Sequence, residues 1–267
     1  MLGILLIPLQ LAATVTATRY ESTTETDMGS APPRVTRTAT TVGGGVVRIE
    51  VLEGLRPRDP SAQSYMLLRI KDSKTYSINS TKQEYSEIDV SKMQAQIISA
   101  IKAVGGSMTF SGINYSVEDL GGGLTILGHP TRHWRMTQAM SINTVLGADS
   151  TLAATESTSD LYFATDLTLP NHSAAAVDTS SLAQFQGLTP DLELAKARAQ
   201  LSRLPKTLLL RSITKGMTRT AGVETTTAST TSLTKIETVE IPVSFLEVPS
   251  TYKKIDMFPL SKPDLQR

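Results

Sequence analysis

The chain has 267 residues, 40% of them hydrophobic, which is enough to bury a substantial core in one large domain or two small ones. Its 26 basic and 25 acidic residues leave a formal charge of +1, so no excess field favours nucleic acid or an anionic membrane surface as a partner. The absence of cysteine excludes disulfides, thiolate metal sites and a lipid-modified N-terminal cysteine. Abundant threonine favours β-strands.

Residues 1–17, MLGILLIPLQLAATVTA, combine an apolar run with a V-T-A ending, which is typical of a secretory signal peptide. No Lys or Arg precedes Arg19, so the usual basic n-region is missing, and the segment is either clipped or starts upstream. Pro8 and the polar residues from Thr14 onward leave too short an apolar span for a transmembrane anchor. We predict a periplasmic or secreted chain that starts at Thr18; the alternative is a buried first strand.

Strand patterns rich in threonine follow. Two strands are predicted over residues 14–26 and 34–42, joined by a GSAPP turn, and a glycine triplet at 43–45 interrupts the pattern. The next segment, VVRIEVLEG, alternates apolar and polar side chains, as a strand with one wet side does. Its predicted buried face consists of Val47, Ile49 and Val51.

The strand pattern continues over residues 65–88, which are predicted to form two further strands. Turn chemistry lies at residues 71–74 and 79–81. The core face of the first of these strands is predicted to be Met66, Leu68 and Ile70. Later strands are predicted over DLYFATDLTLP, KTLLLRSITKGM and TVEIPVSFLEVP.

A first helix is predicted from Ser91. Ser91 and Gln94 have the spacing of a capping box, and Gly105 stands where the helix should stop. Apolar residues recur at helical spacing and require a partner surface, which we expect to be the sheet. They are Met93, Ile97, Ile98, Ile101 and Val104.

A second helix is predicted in TPDLELAKARAQLSRLP, with Thr189 as N-cap, Pro190 at the first helical position and Pro205 as the stop. Its predicted buried stripe is Leu194, Ala197, Leu201 and Leu204. The Ala- and Ser-rich stretch at 173–184 fits a loop or a short third helix.

The stretch LTILGHPTRHWRM at 124–136 contains His129 and His133 at the H-x-x-x-H spacing of helical zinc sites. Gly128 and Pro130 do not belong inside a helix, and the flanking alternation has a period of two, so a strand bent at Gly-His-Pro is predicted. Residues four apart in a strand lie about 13 Å apart, too far to share one zinc. No metal or other cofactor is therefore predicted, and the histidines are assigned with Thr131 and Arg135 to a solvated face.

Many antiparallel strands with two amphipathic helices late in the order indicate an α+β fold built on a curved antiparallel sheet. We predict one domain over residues 18–257 and a C-terminal tail at 258–267.

Four segments resemble, in order and spacing, a family of uncharacterised bacterial envelope proteins grouped with the LolA/LolB-like lipoprotein carriers and receptor. They are VVRIEVLEG, LLRIKDSKTYSINSTKQEYSEID, LGHPTRHWRM and IPVSFLEVPSTYKKID. The resemblance implies an incomplete β-barrel with two or three helices packed in its concave face, around a cavity that holds acyl chains. The ligand-contacting residues of the carriers have no position-by-position match here, so the fold carries over better than the activity.

Two functions remain open at this level. The first is an exported binding protein that shields a lipid or other apolar ligand, with a cavity lined by flexible and aliphatic residues. The candidate lining residues are Met93, Ile97, Ile101, Trp134 and Met136. The second is an envelope module that has a filled core and binds a protein partner. Catalysis is not predicted, because nucleophile elbows, phosphate loops and metalloprotease motifs are absent, and Asp119, Asp160 and Asp166 lie where aspartate is common.

Overall fold

The computed structural model describes residues 13–29, 32–54, 64–72, 74–146, 149–168 and 189–256. In these ranges the strands are β1 (Thr14–Asp27), β2 (Arg34–Gly43), β3 (Val46–Glu53), β4 (Ser64–Arg69), β5 (Lys74–Asn79), β6 (Glu84–Ile88), β7 (Ser107–Ile126), β8 (His129–Leu146), β9 (Asp149–Ala164), β10 (Leu209–Thr220), β11 (Val223–Pro242) and β12 (Lys253–Lys254). The helices are α1 (Val90–Ala103), α2 (Asp191–Leu201) and a 3₁₀ helix (Val243–Leu246). No helix in these ranges is long and apolar enough to span a membrane.

The described strands form one sheet in the order β12-β6-β5-β4-β3-β2-β1-β11-β10-β9-β8-β7. Neighbouring strands are antiparallel except for β12 and β6, which run parallel. The sheet stays open, with β12 and β7 as its two edges. The prediction of a large, curved, mostly antiparallel sheet with few helices is confirmed.

The packing of the helices differs from the expectation that two or three helices pack in the concave face of the sheet. Both α-helices contact the edge strand β7, and α2 also covers β9. Connectivity explains the position of α1, because this helix leaves β6 beside one edge of the sheet and leads into β7 at the other. The buried cluster under α2 consists of Ile113, Tyr115, Val117, Leu161, Phe163, Leu194, Ala197, Leu201 and Leu204.

The first helix begins two residues earlier than the capping box predicted. Asp89, not Ser91, is the N-cap, and its Oδ1 accepts a hydrogen bond from the Lys92 amide at 3.0 Å. An aspartate is at least as good a cap as a serine, so the earlier residue is used. The predicted stop is confirmed, because Gly105 follows the C-cap with a positive φ of 74°.

The second helix has no side-chain cap, so the prediction of Thr189 as N-cap is wrong. Pro190 is the N-cap, and its carbonyl accepts hydrogen bonds from the Glu193 and Leu194 amides. Thr189 is buried instead, and its hydroxyl has no partner among the described residues. The predicted stripe is confirmed, since all four of its residues are buried.

The edge strand β7 is protected by α2. The Ile113 amide donates to Glu193 Oε2 at 3.0 Å, and the Val117 amide donates to Gln200 Oε1 at 3.3 Å. These two amides would otherwise be open to pairing with another chain. The opposite edge is formed by β12, which is only two residues long and consists of Lys253 and Lys254, a second common protection of a sheet edge.

The predicted core face of β3 and β4 is wrong for most residues. Val47 is buried, but Ile49 and Met66, which pair across the strands, are 36% and 41% exposed. Tyr65 and Leu67, on the other face of β4, are buried instead. The alternation identified two faces correctly, but residues near the C-terminus, among them Val248 and Tyr252, cover the face that was predicted to be solvent-exposed. Residues 65–88 also contain three strands rather than two, joined by the predicted turns.

The structure includes the end of the predicted signal peptide in the sheet. Residues Thr14–Ala17 are the first residues of β1, and Ala17 pairs with Val239. Added at Gly43, a Cβ would lie 2.8 Å from the Ala17 Cβ, so this glycine allows the two strands to approach. The assignment of residues 1–17 as a signal peptide stays a prediction, and residues 1–12 lie outside the described ranges, as does the stretch at 173–184.

Two other strand predictions need correction. The bend expected at Gly-His-Pro is a hairpin turn between β7 and β8, in which Leu127 and Gly128 have positive φ angles of 52° and 82°. The strand predicted through TVEIPVSFLEVP ends at Pro242, and a 3₁₀ helix follows. Proline has no amide to donate to the next ladder position, which favours this end point.

Candidate ligand cavity

The C-terminal segment, defined as residues 243–256, covers one face of β3 to β6. Its 3₁₀ helix buries Leu246, and Val248 and Tyr252 pack on a cluster of buried strand residues. The buried members of that cluster are Tyr65, Leu67, Tyr76 and Ile78. Register explains why they meet, because Leu67 pairs with Tyr76, and Tyr65 pairs with Ile78, so each pair points to the same side.

A cavity of about 560 Å³ remains between this sheet face and the C-terminal segment; we call it the C-terminal cavity. Its lining consists of Val15, Gly44, Val46, Leu67, Arg69, Tyr76, Tyr85, Val243, Leu246, Glu247 and Val248. Sites for small ligands have volumes of roughly 300–1,000 Å³ and are mostly apolar with a few polar groups. The C-terminal cavity has both properties.

Arg48 holds the C-terminal segment on the sheet. Its Nη1 donates to the Phe245 carbonyl oxygen at 2.9 Å, and its Nη2 donates to Glu50 Oε1 at 2.9 Å. The guanidinium carbon lies 3.6 Å from the centroid of the Tyr65 ring on one side and 3.9 Å from that of Phe245 on the other. Burial raises the pKa of Tyr65, and the charge of Arg48 works against that shift. The tyrosine therefore stays neutral beside the cation.

Charged pairs lie around the cavity. Arg69 is hydrogen-bonded to Asp72, and its guanidinium carbon lies 5.3 Å from the centroid of the Tyr76 ring. Burial disfavours the Asp72 carboxylate, but hydrogen bonds from Arg69 and from the Lys74 amide hold its pKa below the usual range. Arg69 and Glu247 are thus the two charged residues of a lining that otherwise consists of aliphatic residues, tyrosines and one glycine.

Glu87 on β6 links the last strand, β12, to β5 on its other side. Its carboxylate accepts a hydrogen bond from Lys254 Nζ at 3.2 Å and forms an ion pair with Lys74 Nζ at 3.3 Å. The bond from Lys254, followed by that from Lys74, holds the pKa of Glu87 below its usual range. The backbone adds to this connection, because the Ile255 amide donates to the Tyr85 carbonyl.

Four of the five residues predicted to line a ligand cavity, Met93, Ile101, Trp134 and Met136, do not line the C-terminal cavity. Trp134 and Met136 are half-buried and pack against the cluster under α2, where the indole Nε1 has no partner among the described residues. Met93 and Ile101 are half-buried on α1, and Ile97 belongs to the same helix. The structure therefore brings Trp134 and Met136 to one core cluster and leaves Met93 and Ile101 outside the lining of the C-terminal cavity.

The two histidines are held by carboxylates. His129 Nδ1 lies 3.0 Å from Asp166 Oδ2, and His133 Nε2 lies 3.0 Å from Asp160 Oδ1. The His133 ring stacks on Tyr162 with centroids 4.5 Å apart. Thr131, predicted to be solvated, is buried and donates to the Leu124 carbonyl, which corrects that part of the prediction. In the described ranges no group of three or more His, Cys, Asp or Glu residues is placed to hold a metal ion.

Sequence reasoning missed the C-terminal cavity, although one signal for it was present. Three tyrosines, Tyr65, Tyr76 and Tyr85, recur on successive short strands, and the register gives them a common face. Aromatic side chains at alternating positions indicate a packed face. On β4 this aromatic signal competes with the alternation of Met66 and Leu68, which favours the opposite face.

No protein-family model matches the chain, and no curated protein sequence matches it. Among solved structures, PNGF-II in space groups C2 and P2₁ is 9% and 11% identical to this chain, with TM-scores of 0.36 and 0.34. Each comparison covers 90% of this chain but 31% of that protein, so the chain spans about a third of the length of these structures.

A LolA superfamily protein from Nitrosomonas europaea is also similar. It is 7% identical, has a TM-score of 0.30, and matches over 86% of this chain and 90% of its own. It belongs to the superfamily that the sequence motifs resemble. TM-scores of 0.30–0.36 carry no information about activity.

Proposed function

We propose that this chain is an exported, non-catalytic protein of the bacterial cell envelope that binds a lipid or other hydrophobic ligand. The observation that carries the proposal is the C-terminal cavity, whose lining is mainly Val, Leu and Tyr. An acyl chain gains about 0.8 kcal/mol for each methylene removed from water, so a cavity of this size offers a useful binding energy. The likeness of the sequence motifs to lipoprotein carriers points to the same ligand class.

The cellular part of the proposal comes from the sequence. Residues 1–17 act as the signal, residues 18–257 form one domain, and residues 258–267 are a tail. A periplasmic or secreted location follows from such a signal, and the near-neutral charge suits a lipid-binding protein without nucleic-acid partners.

A non-catalytic role is supported by the state of the candidate acids. Asp119 is hydrogen-bonded to Arg132, and Asp160 is shared by His133 and Arg135. Asp119 has a lowered pKa because Arg132 and the Gly121 amide donate to it. A carboxylate in this state is a poor general acid at neutral pH.

The first experiment is native mass spectrometry of the full chain, which retains the cavity residue Val15, purified without detergent and followed by solvent extraction of bound material. A lipid released on denaturation would support the proposal and identify the ligand class. Binding of cis-parinaric acid, a fluorescent fatty acid, then measures affinity for an acyl chain. A clean apo mass together with no binding of this probe would contradict the proposal.

A pair of matched variants locates the binding. Val248→Trp places a large ring in the C-terminal cavity and should weaken binding of cis-parinaric acid by at least about tenfold. Val223→Trp makes the same change beside the β10–β11 turn, where the valine is 67% exposed, and should have no effect. Equal affinities in both variants would show that the probe binds elsewhere.

A second candidate function is an envelope module that binds a protein partner and holds no small ligand. The packing of Trp134 and Met136 against the buried cluster under α2 favours it, because two of the five predicted lining residues pack on that core cluster. In that case the native mass spectrum should show an apo chain, and the C-terminal cavity should not take up the probe.

A further inference from the structure

A second concavity of about 600 Å³ lies across six neighbouring strands, from β7 to β1; we call it the cross-strand groove. One row of its lining is Asn114, Ala139, Glu156 and Met217, each paired directly with the next on the adjacent strand. Directly paired residues point to the same side of a sheet. Asn114 is exposed between the buried Ile113 and Tyr115, so the row lies on the face that α2 does not cover.

The second row of the groove contains Lys215, Ala228 and Asp27, again paired from strand to strand. Backbone forms the floor between the two rows, because the intervening residues Ser157, Gly216 and Thr227 are directed to the other face of the sheet. Small side chains, Ala139 in the first row and Ala228 in the second, keep the groove open. A β-bulge precedes Asn114, where Gly112 has a positive φ of 64°. Bulges of this kind often re-aim side chains beside binding sites.

The polar groups of the groove are available to a ligand. The side chains of Asn114, Glu156 and Lys215 form no hydrogen bond or close ion pair with another described residue, and Arg219, which is bonded to Glu224, adds a positive charge near Glu156. Together they offer an amide that both donates and accepts, a carboxylate that accepts and an ammonium that donates. Polar groups that converge on one concave surface are a common feature of ligand sites.

The dimensions favour an elongated ligand. At about 4.8 Å between strands, six strands span roughly 24 Å, and Lys215 and Asp27 are two strands apart, or roughly 10 Å. Two carboxylates and one ammonium leave little net charge along the groove. A ligand rich in hydroxyl groups, which both donate and accept hydrogen bonds, matches these donors and acceptors better than a purely anionic or purely cationic ligand does.

We propose that the cross-strand groove binds a neutral, polyhydroxylated chain, that is, an oligosaccharide several sugar units long. Glu156 accepts from sugar hydroxyls, Lys215 donates to them, and Asn114 does both. Met217 offers an adaptable apolar surface to the C–H faces of the rings. This site is separate from the C-terminal cavity and does not depend on the function proposed for it.

Isothermal titration calorimetry of the full chain with cellopentaose, chitopentaose and maltopentaose tests the proposal. At least one of the three should bind, and Glu156→Ala and Asn114→Ala should each weaken that binding about tenfold. Glu240→Ala, on an exposed position of β11 outside the groove, should leave it unchanged. Thermal melting of each variant identifies any that fail to fold.

Three results would overturn the proposal: no binding of any of the pentasaccharides at millimolar concentration, binding that is equal in all variants, or selective binding of hexalysine. Hexalysine would show that Asp27 and Glu156 select a cation. Val248→Trp separates this proposal from the first one, because it fills the C-terminal cavity and should leave saccharide binding intact.

Discussion

The guanidinium carbon of Arg48 lies 3.9 Å from the centroid of the Phe245 ring, and Arg48 Nη1 donates a hydrogen bond to the carbonyl of the same residue. These two residues are 197 positions apart in the chain. Because Arg48 also lies against Tyr65, one side chain joins the sheet, a buried aromatic ring and the C-terminal segment. The position of the C-terminal segment over the C-terminal cavity depends on this contact.

Arg48→Lys should therefore destabilise the protein despite the retained charge. A lysine cannot stack between two rings while donating to both a carbonyl and a carboxylate, so we expect a loss of about 2 kcal/mol in the free energy of unfolding. Urea denaturation measures this loss. Arg37→Lys is the control, because Arg37 forms ion pairs at the surface and its loss should matter little. Similar losses in the two variants would argue against the role of Arg48.

Leu201→Ala tests the core under α2. Leu201 is fully buried, so the substitution should cost about 2–5 kcal/mol in the free energy of unfolding. Leu192→Ala makes the same change on the same helix at a position that is 66% exposed, and it should cost less than about 0.5 kcal/mol. Thermal or urea denaturation of both variants gives the comparison. A small effect at Leu201 would mean that α2 is not packed on the sheet in solution.

Glu193→Ala tests the protection of the β7 edge by α2. The variant leaves the Ile113 amide without its acceptor, so hydrogen exchange at this amide should become at least about tenfold faster. The Val117 amide, which donates to Gln200, should change much less. Lys196→Ala, on an exposed position of α2, is the control. Unchanged exchange at Ile113 would show that Glu193 does not protect the edge.

The Glu87 carboxyl should titrate below the usual range of a glutamate. Its folded pKa is lowered, so it contributes stability that is present above the unfolded pKa and is lost as the pH falls through the folded pKa. In Lys254→Met the strongest hydrogen bond disappears, and the pKa of Glu87 should rise towards its ordinary value. An NMR pH titration of the side-chain carboxyl measures this.

Two controls accompany the titration of Glu87. Lys74→Met should also raise the pKa of Glu87, because Lys74 contributes the next largest lowering. Lys235→Met removes a lysine that pairs with Glu237 instead, and it should leave Glu87 unchanged. If all three variants titrate alike, Lys254 is not bound to Glu87, and the pairing of β12 with β6 loses that support.

Local patterns predicted the features whose causes are local. The α2 stripe was correct because helical spacing alone decides which residues share a face, and Gly105 ended α1 because a positive φ favours glycine. The N-caps were wrong because neighbouring residues with similar preferences compete, as Asp89 did with Ser91. The sequence predicts a bend where the structure has a hairpin at Leu127–Gly128, since a non-glycine residue with positive φ leaves no clear sequence signal.

The sequence by itself determined an α+β chain of many antiparallel strands, with the turns and the apolar face of α2 in place. Only the tertiary structure decided which face of β4 is buried, because period-two alternation defines two faces but not which one is covered. The covering residues, from Val243 to Tyr252, lie about 180 positions beyond Leu67 in the chain. The C-terminal cavity and the cross-strand groove arise in the same way, from residues that meet only when distant strands take their register.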